Sequence, residues 1–157
     1  RLRQFEIAHL NDYDLLAGIS MRDVQQFKAM GLKIPSMVTP IGLDCSDYQP
    51  DYSTYKMPVS LSFIGSLDWM PNTEGLEWFI ENVWIPLVVP EFPHLTFHIA
   101  GRNTPQKMLR MKVPGITVHG EVPSARAFLN TYPVTIAPLL SGGGMRAKIL
   151  EADNKKD

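Results

Sequence analysis

"VSLSFIGSLDWMPNTEGLEWFIENVWIPLVVPEFPHLTFHIAG", residues 59–101, holds two β-type runs that each end in glycine, 59–65 and 95–101. Between them Leu76, Phe79, Ile80, Val83, Trp84 and Leu87 recur at helical spacing. That spacing predicts a helix over 73–89, with Asn72 as its N-cap. A strand, a crossover helix and a second strand make a parallel unit, because the helix carries the chain back to the starting edge.

Working outward, the alternation continues. "GITVHG" (115–120) and "PVTIAPLL" (133–140) read as further strands, with a weak helix over 105–111 and another opened by Ser124 in "SARAFLNTY". The runs are almost continuously apolar, as expected of strands buried on both faces. The expected fold class is therefore α/β, a Rossmann-like parallel sheet with helices on both faces. Ligands of such sheets gather beyond the carboxyl ends of the strands. Gly65, Gly101, Gly120 and the glycines at 142–144 all fall there, where a backbone without side chains permits close approach. Tight turns alone would also account for single glycines at 65, 101 and 120.

Toward the N-terminus, "YDLLAGIS" (13–20) reads as a strand and Ser20 with Asp23 as a capping box, with Gly31 closing that helix. "SMVTPI" (36–41) reads as another short strand. Residues 42–58, "GLDCSDYQPDYSTYKMP", lack periodicity and are rich in Asp, Tyr, Pro and Ser, the composition of a linker. The expected division is 1–41, a linker at 42–58, and a Rossmann-like domain over 59–157 that is incomplete at its C-terminus. The chain starts at Arg1 and stops soon after a helix begins, which reads as a fragment of a longer protein.

Composition narrows the function classes. The 157 residues are 45% hydrophobic and 20% charged, a globular balance. Fifteen basic against sixteen acidic side chains give a net charge of −1, so no bulk attraction to nucleic acid or an anionic membrane is expected. Cys45 is the only cysteine, which excludes an internal disulfide and a thiolate metal cluster and fits a cytoplasmic location. The longest apolar stretch, "WFIENVWIPLVV", is broken by Glu81, Asn82 and Pro86, so no membrane span is expected. The four histidines show no metal-ligand spacing, and no Asp-x-Asp metal motif stands in the 59–157 half.

The most specific local pattern is "LSGGGMRAKILEA", residues 139–151. Three glycines separate a strand from a helix start, where unpaired N–H groups and partial positive charge favour an anion. Arg146 and Lys148 lie in the first turn, an unfavourable place for cations unless an anion is bound. The pattern is not a P-loop, because Met145 and Arg146 follow the glycines, nor a dinucleotide fingerprint, because position 147 is alanine. Glu151, two turns along, is placed to reach a sugar hydroxyl of the same ligand. A plain turn, with Glu151 paired to Lys148 or Lys155, is the alternative.

The series "GSLDWMPN…WFIENVWIPL", "FHIAGR", "ITVHGEV" and "VTIAPLLSGGGMRAKILEA" resembles the donor half of retaining glycosyltransferases of the GT-B type, the group 1, family 4 proteins. "YDLLAGIS" and "VTPIGLD" resemble the end of the acceptor domain and the crossing into the donor domain. The resemblance implies a nucleotide-diphosphate sugar as donor, a saccharide or lipid-linked acceptor, and no metal or other cofactor. Any membrane contact would belong to parts outside this stretch. It implies that Glu151 holds the ribose, and that amides of Gly142, Gly143, Gly144 and Met145 hold the diphosphate and sugar. Gly65 and Ser66 would line the diphosphate side, and Gly120, Glu121 and Val122 the nucleobase side.

Two departures stand out. The family's Glu–seven residues–Glu pattern, counted back from Glu151, meets Gly143 rather than a carboxylate. The Arg and Lys that often follow the first donor-domain strand are absent from "GSLDWMPN", which leaves Arg146, Lys148 or Arg102 to neutralise the diphosphate. A non-catalytic nucleotide or phosphosugar binding module is the competing expectation. Trp69 is placed to line the cleft, whereas Trp78 and Trp84 are expected to pack, and His119 to be structural.

Overall fold

In a computed structural model of the chain, residues 2–40, 42, 58–132 and 134–141 are described. The chain divides into two compact units, whose described parts are residues 2–40 and 42 in the first and 58–132 and 134–141 in the second.

The first unit holds helix α1 (Leu2–His9), strand β1 (Leu16–Gly18), helix α2 (Met21–Ala29) and strand β2 (Ser36–Val38). β1 and β2 pair in parallel, Leu16 opposite Ser36. The capping box forms as the sequence predicts: Asp23 N–H donates to Ser20 Oγ, and Ser20 N–H to Asp23 Oδ2. Gly31, at φ +101°, takes the left-handed turn that leaves α2, a conformation a Cβ would strain. Both strands are shorter than the runs at 13–20 and 36–41 suggest, and the buried apolar residues here are Leu10 and Val24.

The second unit is built on a parallel sheet, four-stranded among the described residues, in the order β5-β4-β3-β6. Its strands are β3 (Ser60–Ile64), β4 (Thr96–Ala100), β5 (Ile116–Gly120) and β6 (Val134–Thr135). The α/β, Rossmann-like fold class read from the sequence is therefore the observed one. Period-two alternation divides each strand between two cores. Phe63, Phe97 and Ile99 face one way and pack with Leu76, Ile80, Trp84 and Met108. Ile64 and Ala100 face the other way, against Phe128 and Leu129 of helix α6 (Ala125–Thr131). Met108 comes from the short helix α5 (Gln106–Leu109).

The long crossover helix differs from its sequence reading. Helix α3 runs Met70–Phe79, a π-helical segment follows over Ile80–Val88, and one α turn, α4 (Val89–Glu91), closes it. Pro86 has no N–H to donate, and the widened turn absorbs it: Val89 N–H reaches Trp84 O, five residues back. Leu76, Ile80 and Trp84 are buried, and past the widened turn Leu87 is exposed. Asn72 is not the cap. The helix starts two residues earlier with Pro71 in its first turn, and buried Asn72 instead donates from Nδ2 to Ser66 O at 2.8 Å.

β6 is held beside β3 by Ser62, a buried polar residue whose Oγ donates to Val134 O (3.3 Å) and pairs with Thr135 Oγ1 (3.1 Å). Its ladder is shorter than 133–140, although Ile136 N–H still reaches Ser62 O. α3 lies close over the segment that follows: a Cβ on Gly75 would overlap the Pro138 carbonyl. Ser141 Oγ donates to Glu74 Oε2 at 2.9 Å.

Candidate donor-binding cleft

The carboxyl ends of β3, β4 and β5 open into a pocket of about 270 Å³. Its walls come from the three turns that leave those strands: Gly65 and Ser66 after β3, Gly101 and Arg102 after β4, Glu121 and Val122 after β5, with Ile64 and Ala125 behind them. Gly65, Ser66, Glu121 and Val122, assigned from sequence, are thus brought together, with Arg102, one of the three cations considered for the diphosphate, beside them. Gly120 stands just behind them with φ +72°, turning the chain from β5 into that wall.

Close approach explains the strand-end glycines. Gly101 N–H donates to Gly120 O (2.8 Å), and Gly65 N–H to Ala100 O (3.2 Å). A Cβ on Gly101 would overlap the Gly65 carbonyl. The amides of both glycines are already engaged with neighbouring strand ends, so these residues serve the pocket by their missing side chains. Ser66 is engaged too: its Oγ donates to Asp68 Oδ1 at 2.7 Å. The charged side chains at the walls are the Arg102 guanidinium and the Glu121 carboxylate.

Asp68 and Asn103, which the sequence reading passed over, tie two of these turns together. Asp68 Oδ2 accepts from Asn103 Nδ2 at 2.9 Å, and Leu67 N–H donates to Arg102 O at 2.9 Å. Asn103 sits at φ 54°, a left-handed conformation that asparagine tolerates better than most residues. The Ser66 hydroxyl bond, with smaller help from Asn103 and Arg102, holds the Asp68 carboxyl below the usual carboxylate range. The available signal is a short polar residue soon after each strand-end glycine, Asp68 three places after Gly65 and Asn103 two after Gly101.

The remaining assignments separate. Gly142, Gly143, Gly144, Met145, Arg146, Lys148 and Glu151 lie outside the described residues, as does Cys45. Trp69 stands 58% exposed as the residue that caps α3 and does not line the pocket. Trp84 is buried, and its Nε1–H donates to Pro114 O at 2.9 Å. Trp78 is 42% exposed, so the packing expected of it is not found; the π segment sets Trp84 alone on the core side. Among the described residues no group of three or more His, Cys, Asp or Glu is arranged to hold a metal, and no helix is long and apolar enough to cross a membrane.

A family model, "Glycosyl transferases group 1", matches residues 58–153, more than half of the chain. The chain belongs to the group 1 glycosyl transferases. Solved structures agree on the fold. TarM superposes with a TM-score of 0.75 at 13% identity, over 98% of this chain and 30% of TarM. The pneumococcal O-GlcNAc transferase GtfA, solved with UDP and GlcNAc, gives 0.71 at 17% identity, over 96% of this chain and 30% of its own. A trehalose-6-phosphate synthase gives 0.62 at 13% identity, over 97% and 45%. This group 1 glycosyl transferase chain therefore spans less than half the length of each of these structures, and shares the GT-B type of fold over that part. Comparison with curated proteins gave no match.

Proposed function

We propose that the chain carries the donor-binding part of a retaining glycosyltransferase that moves a sugar from a nucleotide-diphosphate donor to a saccharide or lipid-linked acceptor. The observation that carries this reading is the pocket at the carboxyl ends of β3, β4 and β5, walled by two strand-end glycines and Arg102. Family membership supports it, as do the bound UDP in the GtfA structure and in an S. aureus TarM structure.

In this reading Gly65 and Ser66 border the diphosphate. Arg102 supplies positive charge that the turn after β3 lacks. Gly120, Glu121 and Val122 face the nucleobase. Gly142, Gly143, Gly144 and Met145 give backbone amides to the diphosphate and sugar, Arg146 and Lys148 add charge, and Glu151 binds the ribose. Residues 1–41 belong to the acceptor-side domain, 42–58 to the crossing and 59–157 to the donor domain, and the protein works in the cytoplasm. Negative charge grows on the nucleoside diphosphate as the glycosidic bond breaks. Fixed guanidinium groups and amides lower that barrier because they need not reorganise as the charge appears. Holding donor and acceptor in one geometry removes entropy from the barrier. No step in this reading calls on a metal.

Gly143, where a family carboxylate often stands, favours a second reading, a nucleotide or phosphosugar binding module without catalysis. Calorimetry with UDP, GDP and ADP tests what the two readings share. One diphosphate is expected to bind, and Arg102→Ala or Glu151→Ala to weaken it by about 1.5–3 kcal/mol, the scale of a charge-assisted hydrogen bond. Binding of none of them would sink both readings. Binding by the whole protein without sugar transfer to any acceptor would leave the second.

A further inference from the structure

On the α6 side of the sheet, just before the turn that carries Glu121 and Val122, two imidazoles meet. His98 Nδ1 and His119 Nε2 are 3.0 Å apart. We propose that they form a two-nitrogen chelate site for a borderline divalent transition-metal ion of the zinc class.

Three observations carry this. First, the spacing fits. Zinc binds imidazole nitrogen at about 2.0–2.1 Å, which puts two neighbouring ligand nitrogens roughly 2.9–3.4 Å apart for right-angled to tetrahedral arrangements. A metal can take the place of the shared proton once His119 carries its proton on Nδ1 instead of Nε2 and both rings turn their free nitrogens toward one point.

Second, the backbone aims His119 at its partner. Ile99 pairs with Val118 and Ala100 with Gly120, so His119 is the extra residue of a β-bulge. A bulge of this kind bends one strand and redirects a side chain. Regular pairing sets Thr117, not His119, opposite His98.

Third, both rings are held before any metal arrives. His98 Nε2 is 3.1 Å from Thr96 Oγ1; with that N–H donated, Nδ1 keeps its lone pair. Tyr132 stacks on the His98 ring at 4.0 Å and 16°, and Phe128 meets the His119 ring edge-on at 5.5 Å. Burial and the nearby His119 keep the His98 imidazole below its ordinary value, hence neutral and able to ligate at neutral pH. His119 is exposed, which gives the ion a way in.

Imidazole nitrogens select Zn²⁺, Ni²⁺ or Cu²⁺ over Mg²⁺ and Ca²⁺, which prefer oxygen. Water completes the coordination, and the Tyr132 hydroxyl, 3.4 Å from His119 Nε2, is placed to hydrogen-bond such a water. A bound ion would fasten β4 to β5 directly before the turn that bears Glu121. The inference stands apart from the sugar-nucleotide reading.

The test is a titration of the 157-residue chain with Zn²⁺, and with Mg²⁺ in parallel, by calorimetry at pH 7.5. One Zn²⁺ site is expected, with no Mg²⁺ site. His98→Gln and His119→Gln should each weaken Zn²⁺ at least tenfold, and His94→Gln should leave it unchanged. Cu²⁺ electron paramagnetic resonance should show coordinated nitrogen that disappears in His119→Gln, a variant at an exposed position whose fold circular dichroism can check. Equal Zn²⁺ affinity in the wild type and the folded His119→Gln variant would overturn the proposal, and so would equal binding of Mg²⁺.

Discussion

Gly101 carries the sharpest consequence at the scale of single residues. A Cβ there meets the Gly65 carbonyl, and both belong to hydrogen-bonded strand ends that cannot swing aside. Gly101→Ala is therefore expected to destabilise the second unit by roughly 1–3 kcal/mol, the usual cost of overpacking. It should also lower affinity for any ligand of the pocket. Urea denaturation reads the first effect as a lower midpoint at unchanged slope; a midpoint within error of wild type would show that the two turns separate easily. Gly65, Gly101 and Gly120 were visible in the sequence as strand-end glycines, because an apolar run that stops at glycine needs no partner to be noticed. Asn72 was misread because a helix that starts at Met70 and one that starts at Thr73 look alike from side-chain type. Only the bond to Ser66 O separates a cap from a buried brace. Gly75 gave no signal: a glycine inside a helix reads as a weakness until the Pro138 carbonyl is found against it.

Among elements, β4, β5 and α6 set a pH dependence. His98 is held below the ordinary histidine value of about 6.5 by burial first and by His119 second. The titratable groups that meet it are His119 from β5 and Tyr132 beyond α6, the latter raised by burial and so uncharged throughout. The folded state thus prefers neutral His98, whereas the unfolded chain takes up a proton near pH 6.5. Linkage then gives a contribution that is fully present above about pH 6.5 and is lost as pH falls through the folded-state value. Metal-free thermal melts should show this decline, and His98→Gln should flatten it; a variant as acid-sensitive as wild type in that window would assign the decline to other groups. This pairing was not legible beforehand. His98 and His119 are 21 residues apart, and the parallel pairing of β4 with β5, with its bulge at His119, brings them together. The strand–helix alternation was legible, because burial on both faces leaves unbroken apolar runs. The π segment was not, since Pro86 offers several ways to interrupt a helix and the packing of Trp84 selects one.

For the whole molecule, the contrast between the two units decides which parts hold their structure. The second unit buries Phe63, Leu67, Leu76, Trp84, Phe97 and Ile99 almost completely. Full burial of each such side chain is worth about 1.5–3 kcal/mol. The described part of the first unit buries Leu10 and Val24, and its sheet has two three-residue strands. Two-stranded sheets are marginal by themselves, and Leu2, Phe5, Leu15 and Ile19 remain exposed there. Local opening should therefore cost far less in the first unit than in the second. Amide hydrogen exchange at neutral pH should find the β3–β4 amides, such as those of Phe63 and Ile99, protected to the level of global unfolding. The amides of β1 and β2 should exchange at least a hundredfold faster. Adding the nucleoside diphosphate that binds should slow exchange in the turns at 65–66, 101–102 and 120–122 and leave β1 and β2 unchanged, if the pocket in the second unit is the site. Equal protection across both units would mean that the sparse core of residues 2–42 underestimates its stability. Slowing confined to β1 and β2 would move the ligand away from the strand ends altogether.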